Sequence, residues 1–143
     1  MSKAIENLIQ AQKFAMSIRP KVGGFPYLAE ALRQFGITRN VWQLPSCQSV
    51  YLTKYGAVVT QGSPLLNGTN DIPLFNQEKL ILALRTDQAG KSTFPEFLKN
   101  TWEAGVISYD ADFEKRKVTY FGVLGESYVE EYAFVEVPSA KHS

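Results

Sequence analysis

Apolar positions recur with a helical period twice near the start of the chain. Ile5, Leu8, Ile9, Gln12 and Met16 follow i, i+3, i+4, i+7 spacing, which predicts an amphipathic helix from about Lys3 to Ser17, stopped by Pro20. Phe25-Pro26 opens a second predicted helix with Leu28, Ala31, Leu32 and Phe35 on one face, and Gly36 supplies the C-terminal cap. The pattern then turns β-branched and aromatic. Ile37–Trp42, Ser49–Tyr55 and Ala57–Thr60 read as short strands, separated by Pro45-Ser46 and by Gly56, with a further tight turn at Asn67-Gly68.

The same order of patterns then begins again. Leu80, Ala83 and Leu84, with Ile81 beside them, mark a helix over about Asn76 to Thr86. Thr93 and Glu96 fit a capping box ahead of a helix that carries Phe94, Phe97, Leu98 and Thr101 and ends at Gly105. Ile107, Tyr109, Ala111 and Phe113 alternate with Val106, Ser108, Asp110 and Asp112, a half-buried strand; Lys117–Phe121 and Ser127–Tyr132 follow as two more. Phe25-Pro26 and Phe94-Pro95 lie 69 residues apart, as do Gly36 and Gly105. Tyr55-Gly56 and Phe121-Gly122 lie 66 apart, and Ile72-Pro73 and Val137-Pro138 lie 65 apart. Two readings stand: a degenerate duplication over residues 1–73 and 74–138 with small deletions in the second copy, or coincidence between two ordinary glycine-ended helices. Either way the expectation is one α+β domain over residues 1–143, helices packed on antiparallel β-structure, with 139–143 as a frayed tail.

Composition narrows the class. With 143 residues, 45% hydrophobic and 20% charged, the chain has the balance of a globular domain rather than a disordered, collagenous or coiled-coil protein. No apolar run approaches the ~20 residues that span a bilayer, and the start lacks a signal-peptide core, so no membrane association is expected. A single cysteine suits a reducing cytoplasm, the expected location. Residues 1–70 carry seven Lys or Arg against two acids, and residues 71–143 carry eight against twelve. That asymmetry fits halves that pack on each other or a head-to-tail homo-oligomer; the scattered basic residues argue against nucleic acid.

Candidate chemistry is sparse. Ala89-Gly90-Lys91-Ser92 lacks the first glycine and the preceding strand of a P-loop. The only histidine, His142, falls in the expected tail, so a nucleophile has no evident base, and one Cys with one His cannot make a zinc site. Asp110 and Asp112 share a strand face that reads as solvated rather than metal-binding; no metal and no cofactor are expected. Cys47 sits in a polar turn with Arg39 near in sequence, and a nearby cation would make its thiol more nucleophilic; the alternative is a small buried hydrophobe. Tyr51 and Tyr55 are placed on one strand face, Tyr120, Tyr128 and Tyr132 populate the second half, and Trp42 and Trp102 add large surfaces. With Arg39, Lys54 and Arg116 nearby, these aromatics could pack a core, anchor an interface or stack bases. Glu126, Glu130 and Glu131 give the last strand an acidic edge that blocks further pairing.

Residues 94–97 (Phe-Pro-Glu-Phe), 104–113 (Ala-Gly-Val-Ile-Ser-Tyr-Asp-Ala-Asp-Phe), 118–122 (Val-Thr-Tyr-Phe-Gly) and 126–132 (Glu-Ser-Tyr-Val-Glu-Glu-Tyr) resemble the uncharacterised bacterial YbcV/YdfO-like family, some of whose members carry a phage envelope label. The match is strongest over residues 94–137, and 23–62 is also similar. The resemblance implies a small, often prophage-linked α+β domain and brings no catalytic or ligand residue with it. The residues themselves favour a non-catalytic module that binds a small molecule or a protein through the Cys47 turn and the strand aromatics. Its candidate site comprises Cys47, Arg39, Trp42, Tyr51, Tyr55, Tyr120 and Arg116. The alternative is a small enzyme or redox-responsive protein using Cys47, and weak nucleic-acid binding ranks third.

Overall fold

The computed structural model describes residues 1–139; His142 and the rest of the expected tail lie outside the described residues. The elements run α1 (Lys3–Ile18), α2 (Phe25–Gln34), β1 (Ile37–Gln43), β2 (Gln48–Thr53), β3 (Gly56–Gln61), α3 (Gln77–Gln88), α4 (Phe94–Glu103), β4 (Val106–Asp112), β5 (Lys117–Gly122) and β6 (Ser127–Glu131). The α+β class is as expected. All six strands form one antiparallel sheet in the order β3-β2-β1-β4-β5-β6, so the two meanders join through β1 and β4 at its centre.

Local chemistry accounts for the element boundaries. Ser2 caps α1 by accepting from the Ile5 amide, and Asn76 caps α3 by accepting from Lys79. The expected capping box is present at α4: Thr93 Oγ1 accepts from the Glu96 amide at 3.3 Å while the Glu96 carboxylate accepts from the Thr93 amide at 2.9 Å. Positive φ at Gly36 and Gly105 turns each second helix into its first strand. At Gly105 this matters twice, because a Cβ there would fall 2.5 Å from the backbone of Phe75 in the 62–76 loop.

The apolar stripe of α1 differs from the expected one. Ala4, Leu8, Ala11 and Ala15 are buried, while Ile5 and Met16 stand exposed at 37% and 66%. The alanines allow close approach to α2, which the larger side chains would prevent. The second expected strand also stops early. Lys54 and Tyr55 form the β2–β3 turn, where Thr53 Oγ1 accepts from the Tyr55 amide at 3.1 Å. Asn67-Gly68 sits in a long irregular segment from 62 to 76 that returns to the core through Leu65, Leu66 and Phe75.

Strand register places the two halves about a common centre. Arg39 lies opposite Asp112, Val41 opposite Asp110 and Gln43 opposite Ser108, a ladder symmetric about Val41 and Asp110, which are 69 residues apart. The Leu44 amide donates to the Ile107 carbonyl at 2.9 Å, and the Phe113 amide donates to the Thr38 carbonyl at 3.0 Å, the same bond at the same offset. Register irregularities fall at Ile37/Arg39 and at Val106/Ser108. The correspondence at 66 residues does not hold: Gly56 begins β3 whereas Gly122 ends β5, and the turn glycine answering Gly56 is Gly125. Tyr51 therefore answers Tyr120, with no deletion between them.

The cross-strand pairs that face the helices form two rows: Val58, Tyr51, Asn40, Ala111, Val118 and Glu130, then Thr60, Ser49, Trp42, Tyr109, Tyr120 and Tyr128. The opposite face carries Leu52, Val59 and Val129 in the open, 39–60% exposed. There Arg39 Nε donates to Asp110 at 2.7 Å, and its guanidinium lies 3.8 Å from Asp112. The charge asymmetry of the halves is thus met in part within the chain, across the β1–β4 seam.

Candidate functional site

Between the inward rows of the sheet and the four helices lies a cavity of about 950 Å³. Its floor is built by strand alternation, which brings Asn40, Trp42, Tyr51, Tyr109, Ala111, Val118 and Tyr120 to one side. Gln12 and Met16 of α1, Leu28 and Leu32 of α2, Leu84, Asp87 and Gln88 of α3, and Phe94 and Phe97 of α4 supply the walls. The size lies within the range of drug-sized ligand sites, and the lining has their character: aromatic and apolar with a few polar groups.

The floor aromatics touch one another in sequence. The Trp42 and Tyr109 rings stack 2° from parallel with centroids 6.1 Å apart, and Tyr109 meets Tyr120 at 5.7 Å. Phe94 stands edge-on to Trp42 at 5.3 Å, and Phe25 edge-on to Tyr132 at 5.3 Å, so two walls are aromatic as well. Burial raises the phenol pKa values of Tyr51, Tyr109 and Tyr120, which keeps these groups neutral, as donors, at physiological pH.

The polar end of the cavity is acidic but largely neutralised. Burial would raise Glu130, yet hydrogen bonds from Arg85, Tyr128 and Gln88 hold its carboxyl below the ordinary value. Asp87 shifts the other way. Burial raises it, against a 3.2 Å hydrogen bond from Ser92 and the more distant charge of Arg19.

The structure brings together only part of the expected site. Trp42, Tyr51 and Tyr120 line the cavity; Arg39 faces away on the open side of the sheet, held by Asp110. Tyr55 is in the β2–β3 turn, its ring under the ammonium groups of Lys3 and Lys54 at 4.4 and 5.1 Å. Alternation with Tyr51 fails because the strand ends at Thr53. Arg116 sits exposed in the β4–β5 turn, its guanidinium 6.0 Å from the Phe134 ring. Cys47 is 6% exposed in the β1–β2 turn, its thiol directed at the Leu44 carbonyl 3.5 Å away. Burial raises its pKa and Arg39 contributes nothing to it, the reverse of the activation expected from their nearness in sequence. Tyr109, Ala111, Asn40 and Asp87 were not singled out as site residues, although the alternation in 106–113 already put Tyr109 and Ala111 on one face.

Glu30 is a second surprise. It is 7% exposed on α2 and held by both Arg33 Nε (2.8 Å) and a terminal guanidinium nitrogen (2.7 Å), a hydrogen-bonded pair that lowers its pKa despite burial. Among the described residues, no group of three or more His, Cys, Asp or Glu converges as a metal site. Among the same residues, no helix is long and apolar enough to cross a membrane.

The fold and cavity define an α+β protein with two helix pairs on one face of a six-stranded antiparallel sheet. The chain belongs to the family described as "Protein of unknown function (DUF1398)", which matches residues 13–131. It is similar to the uncharacterized proteins Rv2012 and MT2067 of Mycobacterium tuberculosis and Mb2035 of Mycobacterium bovis. Each is 49% identical over 136 residues, covering 95% of this chain and 83% of the relative.

Proposed function

We propose that this protein is a single-domain binding module that holds a small, largely apolar molecule in the cavity between helices and sheet, without transforming it. The cavity of about 950 Å³ with its continuous aromatic floor carries the reading. The space is partly open to solvent, where Met16 and Phe94 stand exposed, and its aromatic and apolar lining lacks the packing partners that a filled core would give it. A bound molecule would restore those contacts. The enzymatic alternative through Cys47 loses support, since a buried thiol with a raised pKa is a poor nucleophile. Nucleic acid loses support as well, because Trp42, Tyr51, Tyr109 and Tyr120 face the cavity and Arg39 is committed to Asp110.

Several finer readings accompany this one. Duplication of a helix-helix-strand-strand-strand unit is supported by the 69-residue offset shared by Gly36 and Gly105, by Gly56 and Gly125, and by the β1–β4 ladder. A cytoplasmic location is supported by the lone cysteine. Residual charge asymmetry between the halves leaves room for a homo-oligomer. The prophage link rests on the sequence resemblance alone.

The test is thermal unfolding of the purified protein against metabolites, nucleotides, divalent metals, apolar aromatics and short oligonucleotides, repeated with Ala111→Leu and Cys47→Ser. A ligand at 100 times its dissociation constant adds about 2.7 kcal/mol, a shift of several degrees for a domain of this size. An apolar aromatic should stabilise the wild type and Cys47→Ser but not Ala111→Leu, whose added side chain fills the floor. Stabilisation that survives Ala111→Leu and disappears with Cys47→Ser would move the site to the β1–β2 turn.

A further inference from the structure

The cavity has two aromatic ends of matching geometry. Phe94 opens α4 and meets the Trp42 ring edge-on, and Phe25 opens α2 and meets the Tyr132 ring edge-on; both pairs have centroids 5.3 Å apart and ring planes at 89°. Trp42 lies on β1 and Tyr132 just beyond β6, three strand spacings across the sheet, or roughly 14 Å. The space between them suits an elongated molecule. Its open end is at Phe94 and Met16, 45% and 66% exposed, whereas Phe25 and Tyr132 pack against the buried core.

Two buried donors at these ends, Trp42 Nε1 and the Tyr132 hydroxyl, lack a hydrogen-bond partner among the described residues. They are not equivalent. The Trp42 N–H lies near enough to the Cys47 thiol to lower its pKa, though outside hydrogen-bonding geometry, so that donor is spent on the β1–β2 turn. The carboxylates whose charge reaches Tyr132 are committed elsewhere. Glu30 accepts from Arg33 at 2.8 and 2.7 Å, and Asp112 accepts from the Glu114 and Lys115 amides at 3.1 and 3.0 Å. Burial raises the Tyr132 pKa, which keeps the hydroxyl protonated as a donor. A buried donor left unpaired is costly, and an acceptor brought in by a ligand removes that cost.

We infer that the ligand is an elongated, largely apolar molecule with an oxygen acceptor, carbonyl or carboxylate, at the end seated against Tyr132, and that its apolar body extends over the sheet toward the opening at Phe94. This rests on the cavity being a ligand site. The lining carries both signs of charge, Arg19 and Lys21 beside Asp87 and Glu130, so the choice between a neutral and an anionic acceptor falls to experiment.

Three probes of one skeleton separate these claims: butylbenzene, which has no oxygen; 4-phenyl-2-butanone, a neutral ketone; and 4-phenylbutanoate, an anion. Binding is read by calorimetry and thermal unfolding on the full chain, with Tyr132→Phe, Trp42→Phe and Ala111→Leu as variants. At least one oxygenated probe should bind roughly tenfold tighter than butylbenzene, and Tyr132→Phe should remove most of that preference while leaving butylbenzene binding unchanged, the scale of one hydrogen bond. The probe with the larger Tyr132-dependent preference identifies the acceptor as neutral or anionic. Without ligand, Tyr132→Phe should melt no lower than the wild type, because the hydroxyl it deletes has no partner; a loss of several degrees would show that the hydroxyl is already bonded in the free protein and would overturn the inference. Equal affinity for all three probes, or a preference that survives Tyr132→Phe or is lost instead in Trp42→Phe, would overturn the acceptor at Tyr132 while leaving the cavity as a site, provided that binding is lost in Ala111→Leu. If none of the three binds while another ligand is lost in Ala111→Leu, the elongated acceptor class is wrong and the cavity reading stands; if no ligand of any class depends on Ala111, both fall.

Discussion

Cys47 and Arg116 share a backbone state that neither residue type favours: both have φ of 54°, and they lie 69 residues apart in the two equivalent hairpin turns. A sequence reader looks for Gly, Asn or Asp at a left-handed turn position, so this correspondence was not legible, whereas Gly36 and Gly105 were. The conformation also explains why Cys47 misleads. Its neighbours in sequence suggest an exposed polar turn, but the turn folds back under the 62–76 loop, where the Gly62 amide donates to the Cys47 carbonyl at 2.9 Å. A thiol so placed should be slow to react. With its pKa raised by burial the thiolate is scarce at pH 8, and modification by a disulfide reagent should run at least ~10-fold slower in the native protein than in the protein unfolded in guanidinium. A native rate equal to the unfolded one would return Cys47 to the list of reactive groups. Arg39 invites a second measurement at the same scale. Its pair with Asp110 is partly exposed, 43% and 27%, so Arg39→Gln should change stability by less than about 1 kcal/mol despite its place at the centre of the sheet.

The elements were more legible than their faces. Capping residues, prolines at helix starts and glycines at helix ends mark boundaries through local chemistry, and both Pro26 and Thr93 stand where the sequence puts them. The face of α1 did not follow, because a rule that weighs side-chain size overlooks Ala4, Ala11 and Ala15, whose value lies in how near they let α2 come. Tyr55 was misplaced for a related reason: period-2 alternation says which side a residue faces but not where the strand stops, and here a Thr53 side-chain bond closes the turn first. The glycine positions allow a graded test. Gly105→Ala meets the Phe75 backbone and has φ of 87°, so it should cost roughly 2–4 kcal/mol, whereas Gly125→Ala, with φ of 90° and open space around it, should cost only the backbone strain of about 1 kcal/mol. Gly36→Ala should fall between them, since the Lys54 side chain that it meets can move aside. Chemical denaturation of the three variants checks the order, and equal losses would mean that the contact with Phe75 carries no weight. Thr93→Ala, which removes the cap of α4, should cost about 1 kcal/mol in the same experiment.

At the scale of the whole molecule, the cavity and the symmetry of the sheet belong together. Two meanders joined at β1 and β4 place Tyr51 and Tyr120 at answering positions on either side of the seam, with helix pairs arching over both. This arrangement was only half legible: alternation reveals inward residues strand by strand, but the β1–β4 pairing that makes them one floor links residues about 70 apart in the chain. The concentration of buried phenols has a consequence for pH. Tyr51, Tyr109, Tyr120 and Tyr132 all have pKa values raised above the ordinary value near 10, burial being the largest cause in each. Above that value the unfolded chain has released protons that the native protein still holds, so stability falls as pH rises; below about pH 9 these groups contribute no pH dependence. Absorbance at 295 nm should therefore rise in two stages, the second coinciding with loss of the far-ultraviolet circular dichroism of the fold. A single early stage with the fold intact would mean that water and hydroxide reach the cavity floor freely.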